Sequence, residues 1–93
     1  MKPSEVLQKG WTTNLIARDK NGHCISAHSP DATSWCFIGA AQKVLSPGEF
    51  IQFINLARAE TGYMALSEWN DWVCRSQQEA IEIAKRVEAK MGL

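Results

Sequence analysis

The sequence predicts a single small α+β domain over residues 1–93, in which an N-terminal β-hairpin packs against about four α-helices. The stretch 35–44 holds only two polar side chains, Gln42 and Lys43, so its apolar residues surround a helix. A helix that is apolar nearly all round is typical of a buried, central position. The run Asp19-Lys-Asn-Gly22 is a turn signal between two segments of strand character. Two later segments begin with a helix-capping pattern.

Composition and charge limit the classes of function. Ten basic and ten acidic side chains give a formal net charge of zero, which argues against general nucleic-acid binding and against binding to an anionic membrane. Zero net charge also removes one protection against self-association, so a homodimer is one expected form. Four tryptophans in 93 residues favour a protein partner, because tryptophan is enriched at the energetic centres of interfaces.

The cysteines Cys24, Cys36 and Cys74 are odd in number, and no apolar segment of a secretory signal follows the first two residues. We therefore expect a cytoplasmic protein with reduced thiols. No C-x-x-C spacing is present, and His23 and His28 do not complete a zinc-ligand pattern, so no metal is predicted. No glycine-rich phosphate-binding or dinucleotide-binding motif occurs, and no cofactor is predicted.

The chain begins with a predicted short helix over residues 3–9. Pro3 suits its first turn, and Gly10 suits the position just after its end. Trp11 is expected to hold this helix against the core.

Residues 12–29 are predicted to form the hairpin, and two registers compete. A two-residue loop would pair Lys20 with His23, whereas a three-residue loop with Gly22 in the left-handed conformation would pair Asp19 with His23. We favour the second register, because a slip of one residue exchanges the two faces and only this one collects the apolar residues. The buried face then carries Leu15, Ala17, Ile25 and Ala27. The partly wet face carries Ile16, Arg18, Cys24, Ser26 and His28.

Three longer helices are predicted after the hairpin. The central one covers about residues 31–45 and is capped by Ser29 or Asp31, with Gly39 allowing a neighbouring backbone to approach. The next covers residues 46–61 and the last begins at residue 76, each opening with serine and carrying glutamate three residues later. The apolar stripe of the 46–61 helix is Phe50, Phe53, Ile54 and Ala57. The stripe of the last helix is Ala80, Ala84, Val87 and Met91.

The segment Glu68-Trp-Asn-Asp-Trp72 is the first candidate binding site. Two tryptophans beside an amide and a carboxylate could form a small-ligand pocket, with aromatic walls and a few polar groups. The alternative is that Asn70 and Asp71 break or cap a short helix over 64–69 while the tryptophans complete the core. Asx residues at such breaks cap more often than they bind, so the alternative is favoured.

A second candidate is a catalytic site at Cys36. A thiol near a helix start has a lowered pKa, and His28 could act as a base that Asp71 orients. The competing interpretation is a buried structural cysteine, since Cys36 lies in an apolar stretch and free cysteine is among the most buried residue types. No nucleophile signature surrounds it, so a structural role is preferred.

Binding residues concentrate on irregular segments held by a rigid scaffold. We therefore predict that the polar face of the hairpin and the Trp-Asn-Asp-Trp segment border one surface cleft, in which Arg18 could form an ion pair with Asp71. The predicted binding residues are Arg18, His28, Trp69, Asn70, Asp71 and Trp72.

Several short motifs together resemble those of a family of small uncharacterised proteins from bacteria and their phages. They are Gly10-Trp11, 17–19 (Ala-Arg-Asp) with Gly22, Asp31 with Trp35-Cys36 and Gly39-Ala40, and 69–71 (Trp-Asn-Asp) with the helix that follows. The resemblance covers roughly residues 10–87, and it departs after Asp71, where Trp72 and Val73 replace a more polar turn. It implies a stand-alone cytoplasmic protein linked to mobile elements, and it implies no chemistry.

These observations lead to two functional hypotheses. The first is a non-enzymatic protein of bacterial or phage origin that binds a protein partner or itself, with inhibition of a host defence system as one such role. The alternative is a small-ligand-binding or hydrolytic protein with a site built from Cys36, His28 and Asp71. Convergence of these three side chains on one cleft would discriminate between the hypotheses.

Overall fold

The computed structural model describes all residues from 1 to 93. It contains five α-helices, one π-helical turn and a two-stranded antiparallel sheet, so the α+β class is confirmed. The elements in chain order are α1 (Pro3–Lys9), β1 (Ala17–Arg18), β2 (Ser34–Trp35), α2 (Phe37–Val44), α3 (Pro47–Thr61), α4 (Leu66–Glu68), the π-helical turn Trp69–Val73 and α5 (Gln77–Met91). None of the helices is both long and apolar enough to cross a membrane.

The sheet differs from the predicted hairpin in its position and in its second strand. It follows α1 instead of lying at the N-terminus, and β1 pairs with β2 through Ala17 opposite Trp35 and Arg18 opposite Ser34. The predicted second strand, residues 23–29, contributes a bridge between Arg18 and Cys24 and then leaves the sheet. The apolar run that begins at Trp35 does not distinguish a strand from a helix, and this is why the pairing of Ser34 and Trp35 with β1 was missed.

The turn that follows β1, over residues 19–23, has the predicted three-residue loop. The backbone N–H of Asp19 donates to the His23 carbonyl at 3.0 Å, and Gly22 has a φ of 82°. The expected burial of this region is only partly right. Ala17 and Ala27 are buried, but Ile16 packs against the core while Leu15 does not. Alternation fails there because regular strand begins only at Ala17.

The central helix begins later than predicted, at Phe37 instead of residue 31. Its N-cap is Cys36, whose Sγ accepts a hydrogen bond from the Gly39 N–H at 3.2 Å. Ser29 does not cap α2, because its hydroxyl accepts the N–H of Asp31 in a local turn. Residues 33–35, which were predicted to lie in the helix, pair with β1. The Thr33 N–H donates to the Arg18 carbonyl at 2.8 Å.

One hydrophobic core lies between α2, α3 and α5. Phe37 of α2 contacts Phe53 of α3 and Trp69, with ring centroids 5.3 Å apart in both cases. The predicted stripes of α3 and α5 face this core. Gly39 has its predicted role, since a Cβ there would collide with the carbonyl oxygen of Ile16.

A buried carboxylate holds the first helix against the last. Glu88 of α5 accepts hydrogen bonds from the backbone N–H and the hydroxyl of Ser4, both at 2.7 Å. Both residues are buried, so these bonds satisfy groups that would otherwise be costly to desolvate. These bonds fix helix α1 against α5.

Candidate functional site

The sequence predicts that Asn70 and Asp71 break or cap a short helix. In the structure, the Trp-Asn-Asp-Trp segment instead continues α4 as a π-helical turn. The N–H of Cys74 closes the turn by donating to the Trp69 carbonyl at 2.7 Å, five residues back. Such turns are rare and are frequent at functional sites, because the wider winding redirects the side chains. Residues 69–72 consequently have very different environments.

Asn70 is fully buried and organises the chain around it. Its Oδ1 accepts from the Trp11 indole N–H at 2.8 Å and from the backbone N–H of Phe37 at 3.0 Å. Its Nδ2 donates to the Thr12 carbonyl at 3.1 Å and to Oδ1 of Asp71 at 2.9 Å. One side chain therefore joins the segment after α1, the start of α2 and the π-helical turn.

Asp71 fixes the loop that precedes β1. Its Oδ1 accepts the backbone N–H of Asn14 at 2.9 Å, and Asn14 has a φ of 69°, in the left-handed region. Asparagine tolerates this conformation better than most residues. The other oxygen, Oδ2, has no hydrogen-bond partner in the chain, and since no fully buried side-chain oxygen is unsatisfied, Oδ2 keeps some contact with solvent.

The two tryptophans of the turn have opposite environments. Trp69 is 3% exposed and meets the Phe37 ring edge-on, whereas Trp72 is 82% exposed. Trp72 is thus a large apolar side chain held in water by a turn whose neighbouring residues are anchored in the core.

Arg18 supports the same loop from the other side, but it forms no ion pair with Asp71. Its guanidinium donates to the Thr12 hydroxyl at 2.7 Å, to the Thr13 carbonyl at 3.0 Å and to the Gly22 carbonyl at 2.9 Å. The ion pairs between basic and acidic side chains in the structure join Glu60 to Arg86 and Lys90, and the His23 ring lies 3.8 Å from the Asp19 carboxylate. Arg18 and Asp71 are therefore linked only indirectly, through the loop 12–14.

Cys36 is 8% exposed, and together with Asp71 it lines a small cleft at the start of α2. Burial raises the pKa of the Cys36 thiol above its ordinary value, and the negative charge of Asp71 adds to the rise. The N–H groups of Gly39 and Ile38 act in the lowering direction but do not outweigh burial. A protonated thiol is a poor nucleophile, so the helix start does not activate Cys36.

His28 lies away from Cys36 and Asp71. Its Nε2 is 2.9 Å from the carbonyl oxygen of Gln42, in the last turn of α2, and it borders a different cavity with Leu45 and Phe50. Cys36 caps the opposite end of α2, and six residues of helix span about 9 Å. The three side chains of the hydrolytic hypothesis are not brought together.

A cleft of about 150 Å³ lies where the loop before β1, the start of α2 and α4 meet. Its apolar lining includes Leu15, Ile16 and Ile38, and its polar lining includes Ser67 and Asp71. Of the predicted binding residues only Asp71 borders this cleft, together with Cys36. No group of three or more His, Cys, Asp or Glu side chains is arranged to hold a metal ion.

Sequence reasoning missed the parts of this site that come from the loop 12–16 and from α4. Asn14, Leu15 and Ser67 line the cleft, yet none of them belongs to a recognisable motif. The usable signal was Asn14, since asparagine tolerates the left-handed conformation. A left-handed residue at this position would have excluded residues 12–14 from the predicted first strand.

Comparison of the chain with known protein-family models, with curated proteins and with solved structures finds no match in any of the three.

Proposed function

We propose that the protein is a non-enzymatic binding protein that contacts a protein partner, or a second copy of itself, through the surface around Trp72. The observation that carries this proposal is the 82% exposure of Trp72 on a turn anchored in the core. Exposed tryptophan at the centre of an interface contributes more binding energy than most residue types. A rigid support reduces the entropy lost on association.

The surroundings of the other candidate residues support the non-enzymatic character. The raised pKa of the Cys36 thiol and the separate position of His28 both disfavour a cysteine-based hydrolytic site. The bacterial or phage origin and inhibition of a host defence system are part of the proposal, and they rest on the sequence resemblance. The cytoplasmic location is also part of it, and it rests on the resemblance and on the cysteine pattern of the sequence.

The proposal is tested by crosslinking from a position beside Trp72. A photoreactive residue at Glu68, which is exposed and lies one turn before Trp72, should give a crosslinked product in cells of the native host. The matched position is Gln52, exposed on α3, which should give none. Trp72→Ala in the Glu68 background should abolish the product.

Binding strength gives the second measurement. With the captured partner or with the protein's own self-association, Trp72→Ala should weaken binding by about 30-fold, the loss expected of an interface centre. Equal crosslinking from both positions, or a product insensitive to Trp72→Ala, would refute the proposal.

A further inference from the structure

The cleft beside Asp71 has the features of a cation-binding site. Asp71 is partly buried, forms no ion pair with any basic residue of the chain and keeps Oδ2 free. The walls next to this carboxylate are aliphatic, from Leu15, Ile16 and Ile38. A carboxylate at an apolar cleft matches a ligand with a positive end and an aliphatic stem.

The size of the cleft limits the ligand. About 150 Å³ is below the range of drug-sized pockets, which begins at roughly 300 Å³. A cleft of this size suits an ammonium group on a short aliphatic chain better than it suits a larger ligand. An arginine side chain, whose planar guanidinium is larger than an ammonium group, fits this cleft less well than a lysine side chain.

We propose that this cleft binds the side chain of a lysine on a protein partner, with the ammonium group at Asp71 Oδ2 and the methylene stem against Ile16 and Ile38. The inference rests on the proposed function, since the lysine would belong to the partner that contacts Trp72. Trp72 follows Asp71 in the same turn, so one partner can reach both residues. Lysine suits the site, since its long stem can lie along apolar walls while its head meets the carboxylate.

The site can be tested with small probes and no partner. In a titration followed by amide NMR shifts, n-butylammonium should give saturable shifts in residues around the cleft, with a dissociation constant on the order of millimolar. The neutral isostere 1-butanol should bind about tenfold more weakly, because its hydroxyl can donate to the carboxylate but carries no positive charge.

Two variants and one control assign the probe to Asp71. Asp71→Asn keeps an Oδ1 acceptor for Asn14 and Asn70 but removes the charge, and it should weaken butylammonium binding about tenfold. Ser67→Lys, at an exposed position, places an ammonium group four residues before Asp71 and should block the probe. Asp31→Asn, at an exposed carboxylate elsewhere, should leave binding unchanged.

The source of the ammonium group is decided with capped lysine. Nα-acetyl-lysine methylamide should shift the same residues as butylammonium, and its Nε-acetylated form should not. Absence of saturable shifts with butylammonium, or equal binding to Asp71→Asn, would overturn the ammonium site. Binding of butylammonium without binding of capped lysine would overturn the lysine assignment. None of these results depends on crosslinking near Trp72, so failure of the cleft and failure of the proposed function are distinguishable.

Discussion

Within a single π-helical turn, Trp69 and Asn70 belong to the core while Asp71 and Trp72 face outward. Asn70 makes four hydrogen bonds and has no exposed surface, whereas Trp72 is 82% exposed. The two pairs are adjacent in sequence, and each contains one tryptophan and one asparagine or aspartate. The difference shows that a motif can divide into a structural half and a surface half, which composition cannot reveal.

The winding of the turn causes this division. In an α-helix, residues three positions apart lie near the same face. In the π-helical turn each hydrogen bond spans five residues, which changes the angle between successive side chains, so Trp72 lies on a different face from Trp69. The buried half makes the turn rigid, and the rigid turn presents the surface half.

The largest effect is expected from the buried half. Asn70→Ala leaves the Trp11 indole N–H, the Phe37 N–H and the Thr12 carbonyl without their partner. Each unsatisfied buried group costs about 1–3 kcal/mol, so the free energy of unfolding should fall by more than about 3 kcal/mol in urea titrations. Asn55→Ala, an exposed asparagine on α3, should change it by less than about 0.5 kcal/mol. Similar values for both variants would remove the distinction between the halves.

A smaller effect on the free energy of unfolding is expected from the thiol of Cys74, which follows the turn directly. Burial raises the pKa of Cys74 from 9.0 to about 11. Above pH 9 the unfolded chain loses this proton while the folded protein keeps it, so the contribution of Cys74 to stability is lost as pH rises from 9 towards 11.

The pH dependence of the unfolding free energy measures this contribution. Cys74→Ala should reduce the decline between pH 9 and 11, whereas Cys24→Ala, which removes an exposed thiol, should leave it unchanged. An unchanged slope in Cys74→Ala would show that the thiol is not desolvated in the folded state.

Much of the fold could be predicted because local signals agreed with the tertiary structure. Ser46 and Glu49 form the expected capping box at the start of α3, and Ser76 caps α5. Gly22 adopts the left-handed conformation that its turn requires. In each case the deciding interaction lies within a few residues of the chain.

The errors arose where long-range contacts decided the structure. The pairing of β1 with Ser34 and Trp35 joins residues that are 18 positions (Ala17 and Trp35) and 16 positions (Arg18 and Ser34) apart, and the local apolar pattern around Trp35 favoured a helix there. The position of Asn70 depends on Trp11 and Phe37, which no spacing rule connects. The roles of Arg18, Asp71 and Trp72 in binding stay predictions, as does the resemblance to a family.

The division of the turn is tested most directly by comparing Trp69→Ala with Trp72→Ala in the same urea titration. Trp69→Ala should lower the free energy of unfolding by about 3–5 kcal/mol, the cost of removing a buried aromatic side chain. Trp72→Ala should change it by less than about 0.5 kcal/mol, as exposed positions do. A loss above about 2 kcal/mol in Trp72→Ala would place Trp72 in the fold and contradict its role as a free binding residue.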